Sequence, residues 1–241
     1  MHLLGYILSL LLLAGCSYKT EPQPAQATEP LVQTAVQPVA KTNTQNTQRN
    51  TLLLMNAVRN KEAEQVMFLL QGGINPNTLT PEGDSALVAA SFNGAADIVQ
   101  FLLHAGADPN LSRKDGVTPL FMASQEGYLN VVQVLLPAGA KPNVQGANGT
   151  TALFIASQNG YLNIVKTLLQ AGAKPNLARK DGVTPLMMAS QEGYLNIVKT
   201  LLAAGADPNL TTPDGITALE LASQKGYKNI ISTLQKAGAR K

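Results

Sequence analysis

The chain has 241 residues, a formal charge of +3 at neutral pH, one cysteine and two histidines. Lys and Arg are scattered among Asp and Glu without a run of like charges, so the sequence carries no electrostatic footprint for nucleic acid, and no nucleic acid partner is expected. Proton transfer, metal ligation and nucleophile activation near neutral pH lean on His and Cys; a chain with only His2, His104 and Cys16 is poorly equipped for them, and no enzyme activity, cofactor or metal is expected.

The opening "MHLLGYILSLLLLAGC" holds an apolar run from Leu3 to Leu13. A helix needs about twenty apolar residues to span a bilayer, so the run reads as an export signal over residues 1–15 rather than as a membrane span. Leu13-Ala14-Gly15-Cys16 resembles the lipobox of bacterial lipoproteins, although the region before the apolar run lacks the usual Lys or Arg. That resemblance implies cleavage before Cys16 and lipidation of its thiol and new amino terminus. Ser17, where an Asp would signal retention at the inner membrane, implies delivery to the outer membrane, facing the periplasm. Each buried acyl methylene contributes about 0.8 kcal/mol, so several chains make a stable anchor. Membrane contact is expected through this anchor only.

From Ser17 to Arg49 the chain is rich in Pro, Gln, Thr and Ala, with isolated apolar residues at no helical or strand period. Such a segment buries too little to offset the entropy of ordering, so residues 16–49 are expected to form a lipid-anchored disordered tether. As a coil of roughly thirty residues it has an end-to-end distance of about 30 Å, and on the order of 100 Å when stretched.

Beyond residue 50 the chain repeats itself. "RKDGVTPLFMASQEGYLNVVQVLL" from Arg113 returns as "RKDGVTPLMMASQEGYLNIVKTLL" from Arg179, and the two 33-residue stretches share 25 identities. Gly83, Gly116, Gly149, Gly182 and Gly215 are spaced by 33, as are Gly94, Gly127, Gly160, Gly193 and Gly226. A fixed period of this length signals a stacked repeat architecture.

Within a unit, Thr184 is suited to cap a helix with its hydroxyl while Pro185 takes the first helical position, where its missing N–H costs nothing. That helix is expected to end at Gly193 in a left-handed conformation. Leu195, Val198, Leu201 and Leu202 follow at helical spacing up to Gly205, and "ADPNLTTPDG" supplies turn residues. One such unit cannot close a core. Stacking buries the row Leu87, Leu120, Leu153, Leu186 and Leu219 beside the small row Ala90, Ala123, Ala156, Ala189 and Ala222.

The period, "TPL", "ASQEGYLNIVKTLL" and "AGADPNL" closely resemble the ankyrin repeat from Leu52 to about Ala239. The resemblance implies an all-α repeat solenoid of antiparallel helix pairs, hairpin-like fingers between units and a concave protein-binding surface. Residues 50–241 then divide into six units: 50–80, 81–113, 114–146, 147–179, 180–212 and 213–241. In the first, Lys61 stands in the place of the helix-ending glycine and Leu52, Leu53 and Leu54 replace the capping start. In the last, Lys228 and Gln235 replace leucines, as a solvent-facing terminal cap requires. The family's histidine after "TPL" is replaced by Val88, Phe121, Phe154, Met187 and Glu220, so apolar packing is expected to join neighbours where the family uses hydrogen bonds. Pro137, in the last turn of its second helix, is expected to end that helix early.

Three rows bear on chemistry. Ser91, Ser124, Ser157, Ser190 and Ser223 recur in five of the six units and read as small structural residues, since a nucleophile needs a base and His104 lies elsewhere in its unit. Glu126 and Glu192 sit two units apart and read as a solvated face. Tyr128, Tyr161, Tyr194 and Tyr227 read as rings covering the junctions between units, with a stacking platform for a ligand as the alternative. By resemblance, the fingers present Asp84, Val117, Thr150, Val183 and Ile216 to a partner, and the inner helices present Phe92, Gln125, Gln158, Gln191 and Gln224. Phe92 is the large apolar member of its row and fits an interface anchor; packing against the first unit is its alternative. The expected protein is therefore a monomeric, non-catalytic, lipid-anchored module that binds one or more proteins. Inhibition of a periplasmic toxin or hydrolase and support of a periplasmic oxidative-stress enzyme are alternative roles.

Overall fold

The computed structural model describes residues 39–240, with side chains from residue 45 onward; Cys16, the export signal and residues 16–38 of the tether lie outside the described residues. The repeated Ser or Thr sets the start of each inner helix. Ser85, Thr118, Thr151, Thr184 and Thr217 hold extended backbone, and each side-chain oxygen accepts the amide of the residue three places on, at 3.1–3.3 Å. One of the four unpaired amides at each helix start is thereby satisfied. Pro119 and Pro185 occupy the first turn, as their fixed φ favours.

Twelve helices follow among the described residues, with no extended strand: α1 (Val39–Arg59), α2 (Ala63–Gln71), α3 (Ala86–Phe92), α4 (Ala96–His104), α5 (Pro119–Glu126), α6 (Leu129–Leu135), α7 (Ala152–Gln158), α8 (Leu162–Gln170), α9 (Pro185–Gln191), α10 (Leu195–Ala203), α11 (Ala218–Lys225) and α12 (Lys228–Lys236). The odd-numbered helices pack in succession as an inner layer and the even-numbered ones as an outer layer, each pair forming one unit. The expected helical solenoid is what the chain forms.

α1 corrects one boundary. The tether was expected to run to residue 49, yet helix begins at Val39, directly after Pro38. Residues 45–50 are exposed, so burial does not hold this extension. Leu54, Met55, Ala57 and Val58 are buried and fix the later turns. Once a helix is nucleated, each added residue gains a hydrogen bond for one residue ordered, and a stretch of Ala, Lys, Gln, Asn, Thr and Arg without Pro or Gly propagates it backwards.

The core is a continuous double row. The Leu row from Leu87 to Leu219 is buried throughout, and the Ala row from Ala90 to Ala222 has no exposed surface at all. The outer helices contribute Ile164, Val165 and Leu168 in α8 and Ile197, Val198 and Leu201 in α10, while Leu195 and Leu202 are only half-buried. Ile197 thus belongs to the core beside the leucines that the spacing singled out. Pro137 shortens its helix as expected: α6 has 7 residues where α4, α8, α10 and α12 have 9.

Lys61 adopts φ 59°, the positive value of the glycine it replaces, and is the one non-Gly residue with positive φ among those described. The left-handed region costs a residue with a Cβ about 1–2 kcal/mol. Lys61→Gly is expected to stabilise the fold by about 1 kcal/mol after the entropy of Gly is deducted, seen as a higher urea midpoint.

A row of asparagines, which the turn composition alone did not single out, ties the loops together. Asn143 donates from Nδ2 to the Gly172 carbonyl at 3.0 Å and accepts the Lys174 amide on Oδ1 at 2.8 Å. Asn77, Asn110, Asn176 and Asn209 repeat both bonds to the next unit at 2.8–3.1 Å. Apolar packing at Val88, Phe154 and Met187 does replace the family's histidine, since all three are buried, but hydrogen bonding between units persists through this ladder. Asn143→Ala removes two such bonds and is expected to cost about 1–3 kcal/mol in chemical denaturation. An unchanged midpoint would mean that water replaces both.

Candidate functional site

The last turns of the inner helices and the fingers beside them form one face. Each finger is a tight hairpin turn closed by two backbone bonds: Arg113 donates to the Val117 carbonyl and Gly116 to the Arg113 carbonyl, both at 2.9 Å, and Arg179, Val183 and Gly182 repeat the pattern. Successive fingers also join. Ala147 donates to the Asp115 carbonyl at 2.8 Å and Lys180 to the Asn148 carbonyl at 2.9 Å. Where backbones approach this closely only Gly fits: a Cβ on Gly149 would lie 2.9 Å from the Lys180 nitrogen.

On this face Gln125, Gln158 and Gln191 are half-buried, Gln224 is exposed and Phe92 is 50 % exposed. Val117, Val183 and Ile216 are half-buried in the fingers, at the pairs that close each turn. Thr150 departs from its expected display. It is 5 % exposed, in a finger pressed against the backbone of the next, with its amide donating to Asn148 Oδ1 at 3.0 Å. Thr150 is therefore a packing residue and leaves the set of candidate contacts.

Charge on the face is paired locally. Arg113 Nε lies 3.2 Å from Asp84 Oδ1 and 3.7 Å from Asp115 Oδ1. Arg179 donates from Nε to both carboxylate oxygens of Asp181 at 2.9 and 3.0 Å, and its guanidinium carbon lies 5.4 Å from the centre of the buried Phe154 ring. The hydrogen bond from Arg179 holds the Asp181 carboxyl below its usual range, and the same bond raises Arg179. A carboxyl lowered in the folded state stabilises above its unfolded pKa, and that contribution fades as pH falls through the folded value; at this exposed pair it is small. The Glu82 carboxyl is also lowered, first by a hydrogen bond from its own amide and then by Thr80.

Between α1, α3, α5 and these fingers lies a concavity of about 380 Å³ lined by Arg59, Val88, Ala89, Phe92, Asn93 and Met122, with Arg113 and Asp84 also in its wall. Phe92, 50 % exposed, lines this space together with Arg59 at the end of α1, in the first unit.

The chemistry rows take structural places. Ser91, Ser124, Ser157 and Ser223 each donate to the Leu carbonyl one turn back at 2.7 Å. Their hydroxyl protons are directed at their own helices and not at a base. His104, at the end of α4, has Nδ1 2.8 Å from the Gln100 carbonyl. Glu126 accepts from Gln125 Nε2 at 2.9 Å, and Glu192 is exposed. The tyrosines stack on the preceding unit, since a Cβ on Gly94, Gly127, Gly160 or Gly193 would meet the ring of Tyr128, Tyr161, Tyr194 or Tyr227 within 2.9 Å. Among the described residues no group of three or more His, Cys, Asp or Glu is placed to hold a metal, and no helix is long and apolar enough to cross a membrane.

This stack of capped helix pairs joined by hairpin fingers defines an ankyrin repeat array. The family model for ankyrin repeats (3 copies) matches in overlapping windows at residues 25–113, 54–146, 93–179, 120–212 and 171–241. The chain belongs to the ankyrin repeat family. It is similar to the crystal structure of an ankyrin repeat domain from Acinetobacter baumannii AYE, at 33 % identity and TM-score 0.74 over 78 % of this chain and 98 % of that one. No curated protein matches the chain.

Proposed function

We propose that the protein is a non-catalytic protein-binding module, held at the periplasmic side of the outer membrane by lipid on Cys16, with the inner-helix and finger face as its docking surface. The observation that carries this reading is Phe92: a half-exposed aromatic ring beside partly exposed glutamines on a rigid, backbone-bonded face has the character of an interface anchor. Family membership supports a partner of protein nature. In-cell crosslinking from position 125 or 191 tests it. A discrete crosslinked protein is expected, and capture that survives Gln191→Arg combined with Phe92→Ala would place docking on another face.

The anchor rests on the Leu13-Ala14-Gly15-Cys16 motif. Cys16→Ser is expected to move the protein from the membrane to the soluble fraction, and equal membrane retention would remove lipidation from the proposal. The segment between Cys16 and α1, 22 residues, reaches about 70 Å when extended, which leaves the face free to meet partners beside the membrane.

A further inference from the structure

The two arginine fingers differ in what lies beneath them. In the unit that starts at Thr151, Phe154 is 1 % exposed and its ring lies under the Arg179 guanidinium at 5.4 Å, with Ile155 beside it. Two units earlier the same positions hold Val88 and Ala89, while Arg113 occupies the place of Arg179. The 380 Å³ concavity is lined by these smaller side chains together with Arg113 and with Arg59 at the end of α1. Its size falls in the range of ligand pockets. Asp84, where the later unit has Thr150, holds Arg113 in the wall through the 3.2 Å contact. Phe92 replaces Gln158 and walls the space with a second aromatic surface.

We infer that this pocket takes an aromatic side chain, Phe or Tyr, from the partner protein, seated beneath Arg113 as Phe154 is seated beneath Arg179. The chain carries the template for its own ligand. A guanidinium attracts the negative face of a ring, and a ring prefers edge or offset contact with another such as Phe92. An aliphatic side chain would fill the volume without either term. The inference rests on the protein-binding reading above, of which it specifies the anchor.

The test uses the full-length chain and N-acetyl-phenylalanine amide as probe, with N-acetyl-leucine amide as control, followed by NMR. Saturable shifts are expected at the Val88 and Met122 methyls and at Arg113 Nε–H, with the leucine probe about threefold to tenfold weaker. Val88→Phe fills the pocket from within and is expected to abolish those shifts while retaining helical circular dichroism. Arg113→Gln, which leaves the core untouched, is expected to weaken the phenylalanine probe by about threefold to tenfold and the leucine probe little. Equal response to both probes, or unchanged binding in either variant, would overturn the inference; if Val88→Phe fails to fold, Arg113→Gln decides. Crosslinked partner that is captured undiminished by Val88→Phe would keep the protein-binding reading and remove this pocket from it. Probe binding without any captured partner would instead remove the protein-binding reading and leave an aromatic site.

Discussion

Leu153→Ala is expected to lower the stability of the repeat array by about 2–5 kcal/mol. Leu153 is 1 % exposed in α7, with core neighbours in the inner helices on both sides. Truncation removes the transfer free energy of one methine and two methyl carbons and leaves a void that the flanking helices cannot collapse, since α7 is bonded to its neighbours through the fingers and Asn159. In a solenoid each unit is stabilised mainly by its neighbours, so a defect in the middle weakens two interfaces together. Urea denaturation followed by circular dichroism is expected to show a lower midpoint and a shallower transition as the two halves uncouple. A midpoint equal to that of the parent would show that the Leu row is not the core.

Gly160→Ala is the second large effect, about 2–4 kcal/mol, and it has a built-in control. Gly160 has φ 82°, and a Cβ there would fall 2.7 Å from the Tyr194 ring. Two costs combine: about 1–2 kcal/mol for the left-handed backbone, and the loss of ring packing when Tyr194 swings away. Gly205 has nearly the same backbone, φ 86°, with nothing within 4 Å of a built Cβ. Gly205→Ala therefore carries the backbone cost alone. Thermal or urea denaturation of both variants isolates the tyrosine contribution, and in a Tyr194→Ala background the cost of Gly160→Ala is expected to fall to that of Gly205→Ala. Equal costs in the parent background would show that the ring does not rest on the glycine.

The repeat class was written in the chain. Capping hydroxyls at Thr118, Thr151, Thr184 and Thr217, prolines after two of them and glycines at a 33-residue interval each act over a few residues, so local chemistry states them. Pro137 and Lys61 were legible for the same reason, because a missing amide and a misplaced Cβ act where they stand. The Asn ladder was present in the sequence as a further evenly spaced row, but its meaning was not, because both bonds of Asn143 reach 29 and 31 residues along the chain.

Other features were decided only by packing. The start of α1 at Val39 came from helix propagation out of a buried turn, which composition over residues 39–49 does not display. Thr150 and Val117 occupy equivalent sequence positions, in fingers that are both closed against the next finger's backbone, yet one is buried and the other half-exposed. The contrast between Phe154 lying under Arg179 and Val88 lining a concavity with Arg113 also needs three dimensions, because the ring and guanidinium are 25 residues apart in sequence. The order of amino acids determined which units form and how each begins and ends, through interactions within one or two turns. Which surfaces remain open between units was settled by the volumes of side chains that meet only after the units have stacked.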